Sequence, residues 1–471
     1  MLLSNRGNKI LQNINQCNTN EELFQYIANA YSNDTQHAHR MFKYMTNHQF
    51  TPSTPIIANV PIKSKTFKGL HISCFLSECS KENNLLSVMD IFNSTMYISS
   101  VGGGLGTLWT NIANLGDLSG DLQSNGIIPT IQTQGKIMRI CSGYARASGS
   151  VATFLHMHHP EIEKFISMRQ NIQGIDPSQM IPRYIHHGVI VSDEFMIAVK
   201  ENKHWELIDS NGLITKVINA RDLWLLLLKT RCETGEPYII FEDNINRKFP
   251  AHLKKLGLKS RTSNLCTEIT LPTGKDHKGK NRTAICCLGS INLMQLDLND
   301  KQFIKDIMEF LDNVITKFIH LSVKYKIGDI IQDDHLFVTQ EDRDQEKQLI
   351  EQAYTMNHPI KDALYSAHVE RSIGIGTTGF HSKIQSLNLT LDSQECIKVN
   401  KQIYETLDKY MNELNEIIAI DRGACEDGKD SGYNIRFSHV SAIAPTKNIS
   451  TIQGVSEGTE PMFPIKSVRG K

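Results

Sequence analysis

Short apolar runs bounded by turn residues alternate along this chain with amphipathic stretches, and no other feature constrains its fold as tightly. Residues 188–191 and 238–241 read as strands, and residues 221–230 read as a helix that Gly235 stops ahead of the second of them. Ile304, Ile307, Met308, Leu311, Val314, Ile315 and Phe318 recur at helical spacing and predict a long helix with one apolar face. Strand and helix in turn predict an α/β architecture. Near the start, Leu23, Phe24, Ile27, Ala28 and Tyr31 predict a helical opening segment that Pro52 and Pro55 end, so residues 1–50 form a small preface to one large domain, 51–471. A helix over residues 87–100 runs into Gly102, Gly103, Gly104, Leu105 and Gly106, where the backbone can turn tightly or approach a ligand. Residues 332–352, dense in Asp, Glu, Gln and Lys, read as a solvated loop or helix.

Composition narrows the class. The chain has 471 residues, 40% of them apolar and 21% charged, which suits an ordinary globular protein with a sizeable core. Fifty basic residues balance fifty acidic ones, so the strong positive field of a protein gripping long nucleic acid is absent. The polar opening MLLSNRGNKI does not read as a secretory signal, and the longest apolar run, residues 223–228, is far short of a membrane span. A cytoplasmic protein is expected, without nucleic acid or membrane as partner. Ten scattered cysteines then read as buried or reactive thiols rather than as a disulfide framework.

The segment NLCTEI, residues 264–269, carries the most chemistry. In an extended conformation side chains alternate, so Asn264, Cys266 and Glu268 would share one side. An amide, a thiol and a carboxylate together suit radical chemistry on a sugar: a thiyl radical abstracts hydrogen from carbon, the carboxylate takes a hydroxyl proton, and the amide orients the hydroxyls. By itself the string is also what a buried strand cysteine looks like, since a free Cys is commonly a small core residue. His156, His158 and His159 form a second cluster, read as packed or hydrogen-bonded side chains rather than as metal ligands. Adjacent Cys286 and Cys287 lack the separation that zinc ligands show, and no metal is expected on this chain.

With these residues in view, the chain resembles the ribonucleotide reductase large-subunit family from about Thr51 onward. TPSTPIIANV, GLHISCFLSE, GGGLGTLW, GIIPTI, FLHMHHPEIEKFI, TGEPYIIFEDNINR, SNLCTEITLPTG, ICCLGSINL, RSIGIGTTGFHS, DRGACED, APTKNISTI and a closing GTEP are similar to that family's blocks, in the family's order. SNLCTEI is similar to the class I pattern and unlike the Pro-containing form of the cobalamin-dependent class. The resemblance implies a ten-stranded α/β barrel of the ribonucleotide reductase and glycyl radical enzyme type, two parallel five-stranded halves set antiparallel, with the Cys266 loop threaded through the middle. It implies that Cys266 is the thiyl site, that Asn264 and Glu268 hold and deprotonate the ribose hydroxyls, and that Cys74 and Cys286 form the reducing dithiol, which supplies the two electrons that reduction at C2′ consumes. Cys287 stands where the family more usually has Asn and is expected to point away. Thr54, Ser73 and Gly104 are implied to line the substrate, and Pro445, Thr446, Lys447 and Asn448 to form its phosphate loop at a helix start. Lys447 and Asn448 replace the small residues more usual there, and Lys447 either adds charge to the phosphate contact or points into water. The loop GYARASGSVA, residues 143–152, is similar to the specificity loop, with Arg146 as the base contact.

The implied activity is reduction of ribonucleoside diphosphates to 2′-deoxyribonucleoside diphosphates. No cofactor is expected on the chain itself; the radical comes from a metal-containing small subunit, electrons from a thioredoxin- or glutaredoxin-type reductant, and a nucleoside triphosphate effector is expected at the specificity site. At the position where an acid is expected to hold the effector ribose, Lys81 occupies the simple count and Glu82 follows it. A homodimer is what similar proteins form. Departures from the family shape the alternatives. Only a short segment precedes the matching core, which leaves no regulatory ATP cone, and neither a Tyr-Tyr pair nor a C-terminal Cys pair is present. The barrel is therefore expected to be incomplete at the C-terminus, in a split, interrupted, truncated or decayed subunit that a complementing C-terminal fragment would finish. The competing readings are a catalytically inactive nucleotide-binding scaffold and a cobalamin-dependent reductase.

Overall fold

A computed structural model describes residues 5–14, 17, 19–81, 84–119, 122–142, 149–170, 184–332 and 337–462. In chain order, the elements that build the argument are helices α1 (Asn5–Ile14), α2 (Asn20–Ala30) and α3 (Thr35–Thr46), strands β1 (Phe50–Pro52) and β2 (Cys74–Glu78), helix α4 (Asn84–Ser100), strand β3 (Gly104–Leu108), helix α5 (Ile127–Ser142), strands β4 (Ser150–His156) and β5 (Ile185–Val191), helix α6 (Ala220–Thr234), strands β6 (Tyr238–Phe241), β7 (Ala284–Ile285) and β8 (Cys287–Asn292), helices α7 (Lys301–Lys324) and α8 (Gln340–Thr355), strand β9 (Ile373–Thr378), and helices α9 (Gln394–Arg422) and α10 (Lys447–Gln453). The chain divides into two compact units, one of residues 73–285 and 357–366, the other of residues 1–72, 286–356 and 367–471.

The first unit is built on a six-stranded sheet of order β6-β5-β4-β3-β2-β7, in which the first five strands are parallel and short β7 runs antiparallel to β2. Parallel strands need helical crossovers, and α4 and α5 supply two of them. The register sets Leu76, Gly106, Ala152 and His186 in one row across four strands. One face buries a large apolar cluster including Trp109, Ile131, Leu155, Phe165, Val189 and Phe195. The other carries a smaller cluster, Leu108, Ala152, Phe154, Ile190 and Ile240, against which Leu265 packs. The α6 helix starts on Asn219, whose side chain accepts from the Asp222 amide, and stops at Gly235 with φ of 81°.

The second unit holds a three-stranded sheet, β1-β8-β9, antiparallel then parallel, and most of the long helices. Its helix α7 departs from the sequence expectation. The apolar residues do share a face, but the opposite face is not solvated: Asp306, Asp312, Asn313 and Thr316 are fully buried. Asp312 accepts from Arg371 at 2.5 Å, Arg422 at 2.8 Å and Arg436 at 3.1 Å. Helix α8, whose sequence reads as a solvated stretch, contributes buried Glu346 to the same network, paired with Arg371 at 2.9 Å and His368 at 2.7 Å. Periodicity marks which residues are apolar; it does not show that distant arginines will bury the polar ones.

Candidate active site

Two bare positions on β3 form the floor of the site. A Cβ added at Gly106 would lie 1.9 Å from the Ser263 carbonyl oxygen and 3.0 Å from the Asn264 Cα, so the loop bearing Cys266 rests directly on strand backbone. The glycine run thus serves a close approach of backbone to backbone. Leu265 seats beside Gly104, its side chain 3.6 Å from where a Cβ there would stand. The loop's flanks are pinned to the end of β2, because Glu78 accepts from Arg261 and from the Thr273 hydroxyl, each at 2.8 Å.

The loop is not extended, and here the alternation argument is corrected. Thr267 adopts a left-handed conformation, φ 63°, and its amide donates to the Asn264 carbonyl at 3.2 Å, closing a turn around Cys266. The Ser263 hydroxyl donates to the Ile269 carbonyl at 2.7 Å, and the Ile269 amide donates to Asn264 Oδ1 at 3.2 Å. Local hydrogen bonds, absent from a purely alternating picture, decide where the three side chains sit. Cys266 is exposed, Asn264 buried and Glu268 half-buried. Asn264 Nδ2 and Glu268 Oε2 are buried without a hydrogen bond of ordinary geometry among the described residues, although the Asn264 amide lies close enough to the Glu268 carboxylate and the Cys74 sulfur to act on both. Buried groups without such bonds cost free energy unless something else satisfies them; one donor beside one acceptor matches a hydroxyl-bearing ligand.

Electrostatics tie Cys74, at the start of β2, to this group. Burial pushes its thiol up to about 12, with the charges of Glu268 and Cys266 adding to the rise and Ser73 and Asn264 opposing it. Partial desolvation beneath the exposed turn, then Glu268, pushes Cys266 up to about 11. Burial also raises Glu268, while the neighbouring Asn264 amide draws it back. Both sulfurs therefore carry their protons at neutral pH. That disfavours thiolate nucleophilic chemistry, which depends on a lowered pKa, and suits donation of hydrogen. Tyr238 on β6, to which the sequence reading gave no role, is raised by burial, by Glu236 and by the nearness of Cys266. The contacts of Glu78 and Ser263 were likewise unassigned, because nothing in a linear string marks a carboxylate whose partners lie 183 and 195 residues away.

Ser73 and Gly104 belong to the same unit, with the Ser73 hydroxyl 3.9 Å from the Cys74 sulfur. The other sequence candidates lie in the second unit. Thr54 opens a short helix, Thr54–Ala58. Cys286 is buried, its sulfur 2.8 Å from the position a Cβ on Gly374 would take, whereas Cys287 donates to the Leu311 carbonyl at 3.6 Å. Pro445, Lys447 and Asn448 are exposed at the start of α10, and the buried Thr446 hydroxyl accepts from the Gly458 amide at 2.8 Å. Arg146 lies outside the described residues.

The histidine cluster is occupied by protein contacts: His156 shares a hydrogen bond with Thr110 at 2.7 Å, and His159 accepts from the Glu161 amide at 3.1 Å. Burial lowers His158 to about 4 and His159 to about 3. Among the described residues, His37, Asp306 and Glu309 have metal-ligand proximity, but Arg40 takes both Asp306 oxygens at 2.7 and 2.8 Å, which makes this an ion-pair centre.

Residues 72–435 match the family model described as ribonucleotide reductase, barrel domain. The ribonucleoside-diphosphate reductase large subunit of Invertebrate iridescent virus 3 is 31% identical, covering 94% of this chain and 70% of that protein. The putative ribonucleoside-diphosphate reductase large subunit of Frog virus 3 is 30% identical over 93% of this chain and 69% of its own length. In fold, the α subunit of the Actinobacillus ureae class Id ribonucleotide reductase superposes with a TM-score of 0.75 over 98% of this chain and 75% of that one, at 24% identity. The five parallel strands of the first unit fall within the residues matched to that barrel domain, and the chain belongs to the ribonucleotide reductase large-subunit family.

Proposed function

We propose that the chain is a catalytic large subunit that reduces ribonucleoside diphosphates to 2′-deoxyribonucleoside diphosphates, with Cys266 as the thiyl site. The observation that carries this reading is the grouping of the Cys266 and Cys74 thiols with the Asn264 amide and the Glu268 carboxylate, on a loop seated against the bare backbone of Gly106. The Cys266 thiyl radical takes a hydrogen atom from a ribose carbon, Glu268 accepts a hydroxyl proton, and Asn264 orients the hydroxyls. Cys74 and Cys286 lose two hydrogens and close to a disulfide as the 2′-hydroxyl leaves as water, and the Cys266 hydrogen returns to the sugar. Thr54, Ser73 and Gly104 line the substrate in this reading, and Pro445, Thr446, Lys447 and Asn448 hold its diphosphate.

The radical is supplied by a metal-containing small subunit, and a thioredoxin- or glutaredoxin-type protein reopens the disulfide. The exposed apolar side chains of α4 and α5, Leu85, Met89, Met96 and Ile140, support a homodimer. A nucleoside triphosphate effector is assigned to a hollow of about 440 Å³ in the first unit, where Lys81 and Lys275 offer charge to phosphate and the buried Ser77 hydroxyl has no partner among the described residues. No helix among the described residues is long and apolar enough to cross a membrane, which fits the proposed cytoplasmic location.

Reconstitution tests the whole reading. Purified chain plus a radical-bearing small subunit, with and without a polypeptide supplying a C-terminal complement, should form deoxyribonucleotide from a diphosphate. Cys266→Ser should abolish turnover and leave nucleotide affinity within about twofold, because the sulfur is asked for chemistry and not for binding. Tight nucleotide binding without turnover under every condition would favour an inactive scaffold, and activity with cobalamin alone would favour the cobalamin-dependent class.

A further inference from the structure

We propose that Ser263 is a positioning residue for the Cys266 centre: its hydroxyl latches the 263–269 loop closed above the bare backbone of Gly106, holding the sulfur, the Asn264 amide and the Glu268 carboxylate in one fixed arrangement. The proposal rests on the reading of Cys266 as the reacting sulfur.

The bonding around Ile269 carries the argument. Ser263 is 1% exposed and its hydroxyl has one proton to give; the Ile269 carbonyl at 2.7 Å is the closer acceptor, and Asn264 Oδ1 at 3.4 Å is the more distant. Asn264 Oδ1 is thereby left to accept from the Ile269 amide at 3.2 Å. Both backbone polar groups of Ile269 are thus tied back to the first two residues of the loop, and the turn around Cys266 lies between the ties. Ile269 is itself buried, so without the serine hydroxyl its carbonyl would be left buried and unpaired, a state the loop can relieve only by opening.

The seat lies directly beneath the latch. The Ser263 carbonyl oxygen occupies the space a Cβ on Gly106 would need, with 1.9 Å between them, so the loop cannot settle lower. The Glu78 contacts to Arg261 and Thr273 anchor only the flanks, outside residues 263–269. Hydrogen transfer is steep in distance, and a displacement of about 1 Å costs on the order of 10²-fold in rate. A latch that fixes the sulfur to a strand is therefore worth more to kcat than to substrate binding.

Two readouts on the full chain test this. Turnover with the radical-bearing small subunit should show kcat lowered about 10- to 100-fold in Ser263→Ala, with KM for the diphosphate within about twofold, and most of the loss restored in Ser263→Thr. Iodoacetamide labelling of Cys266 from pH 7 to 12, quantified by peptide against exposed Cys232, needs no turnover. A loosened loop moves the sulfur away from the Glu268 carboxylate and lets water in between them, so the Ser263→Ala labelling midpoint should fall by about one unit, and labelling at pH 8 should rise about 10-fold. Gly106→Ala, which lifts the same loop from below, should lower the midpoint too. An unchanged midpoint in Ser263→Ala overturns the proposal, whether kcat holds or falls together with the melting temperature. Absence of turnover in the unaltered chain removes the radical reading, and the labelling midpoint still decides the role of Ser263.

Discussion

The mechanism proposed for Glu268 asks it to be a base in a place that disfavours its charge. Its burial raises its pKa, so between the ordinary carboxylate value and the raised one the folded protein binds more protons than the unfolded chain. By linkage this contribution to stability is present at low pH and is lost as pH rises through the folded pKa. Glu268→Gln should therefore match the unaltered protein in thermal melting at pH 4 and exceed it by about 2 °C at pH 8, while turnover falls on the order of 10²-fold. A variant less stable at pH 8 would show that the carboxylate is held by partners rather than stranded. At this scale the grouping of Asn264, Cys266 and Glu268 was legible, because they fall within five consecutive residues and no fold is needed to bring them near each other. Ser263 and Glu78 were not legible, since each acts through a partner chosen by folding.

The α7 helix shows how an element can be placed correctly and still be misjudged. Its apolar spacing predicts the helix, and Asp300 caps it by accepting from the Phe303 amide at 2.9 Å. What the spacing leaves out is Asp312, held far below the usual carboxylate range by Arg371, Arg436 and Arg422 against the opposing effect of burial. Glu346 is lowered to about 2 by Arg371 and His368 against the same penalty. Depressed carboxylates stabilise the fold above their unfolded pKa, and the gain is lost as pH falls, so this network should weaken between about pH 4.5 and 2. Asp312→Asn should cost about 3–5 kcal/mol in urea unfolding at pH 7, because three guanidinium groups are left facing a neutral amide. The penalty should shrink as both proteins approach the acid limb. A variant with unchanged stability at pH 7 would show that the arginines find other partners.

For the molecule as a whole, the proposed dimer and the proposed dithiol give the remaining tests. Met89→Glu places a charge in the exposed apolar surface of α4 and α5 and should shift the chain from dimer to monomer in light scattering; an unaltered chain that is already monomeric at tens of micromolar would discard that surface. One turnover without external reductant should remove two titratable thiols, and Cys74→Ser should remove none. The amino-acid order by itself determined the α/β class and the chemical repertoire, a thiol, an amide and an acid within one short segment, because periodicity and nearest-neighbour composition are local properties. Tertiary structure alone decided that a turn rather than a strand presents Cys266, that Gly106 is its seat, and that the polar face of α7 is buried. The turn is closed by hydrogen bonds within residues 263–269, but its seat on β3 and the buried face of α7 are contacts between segments far apart in sequence, whose free energy exists only after the intervening chain has closed.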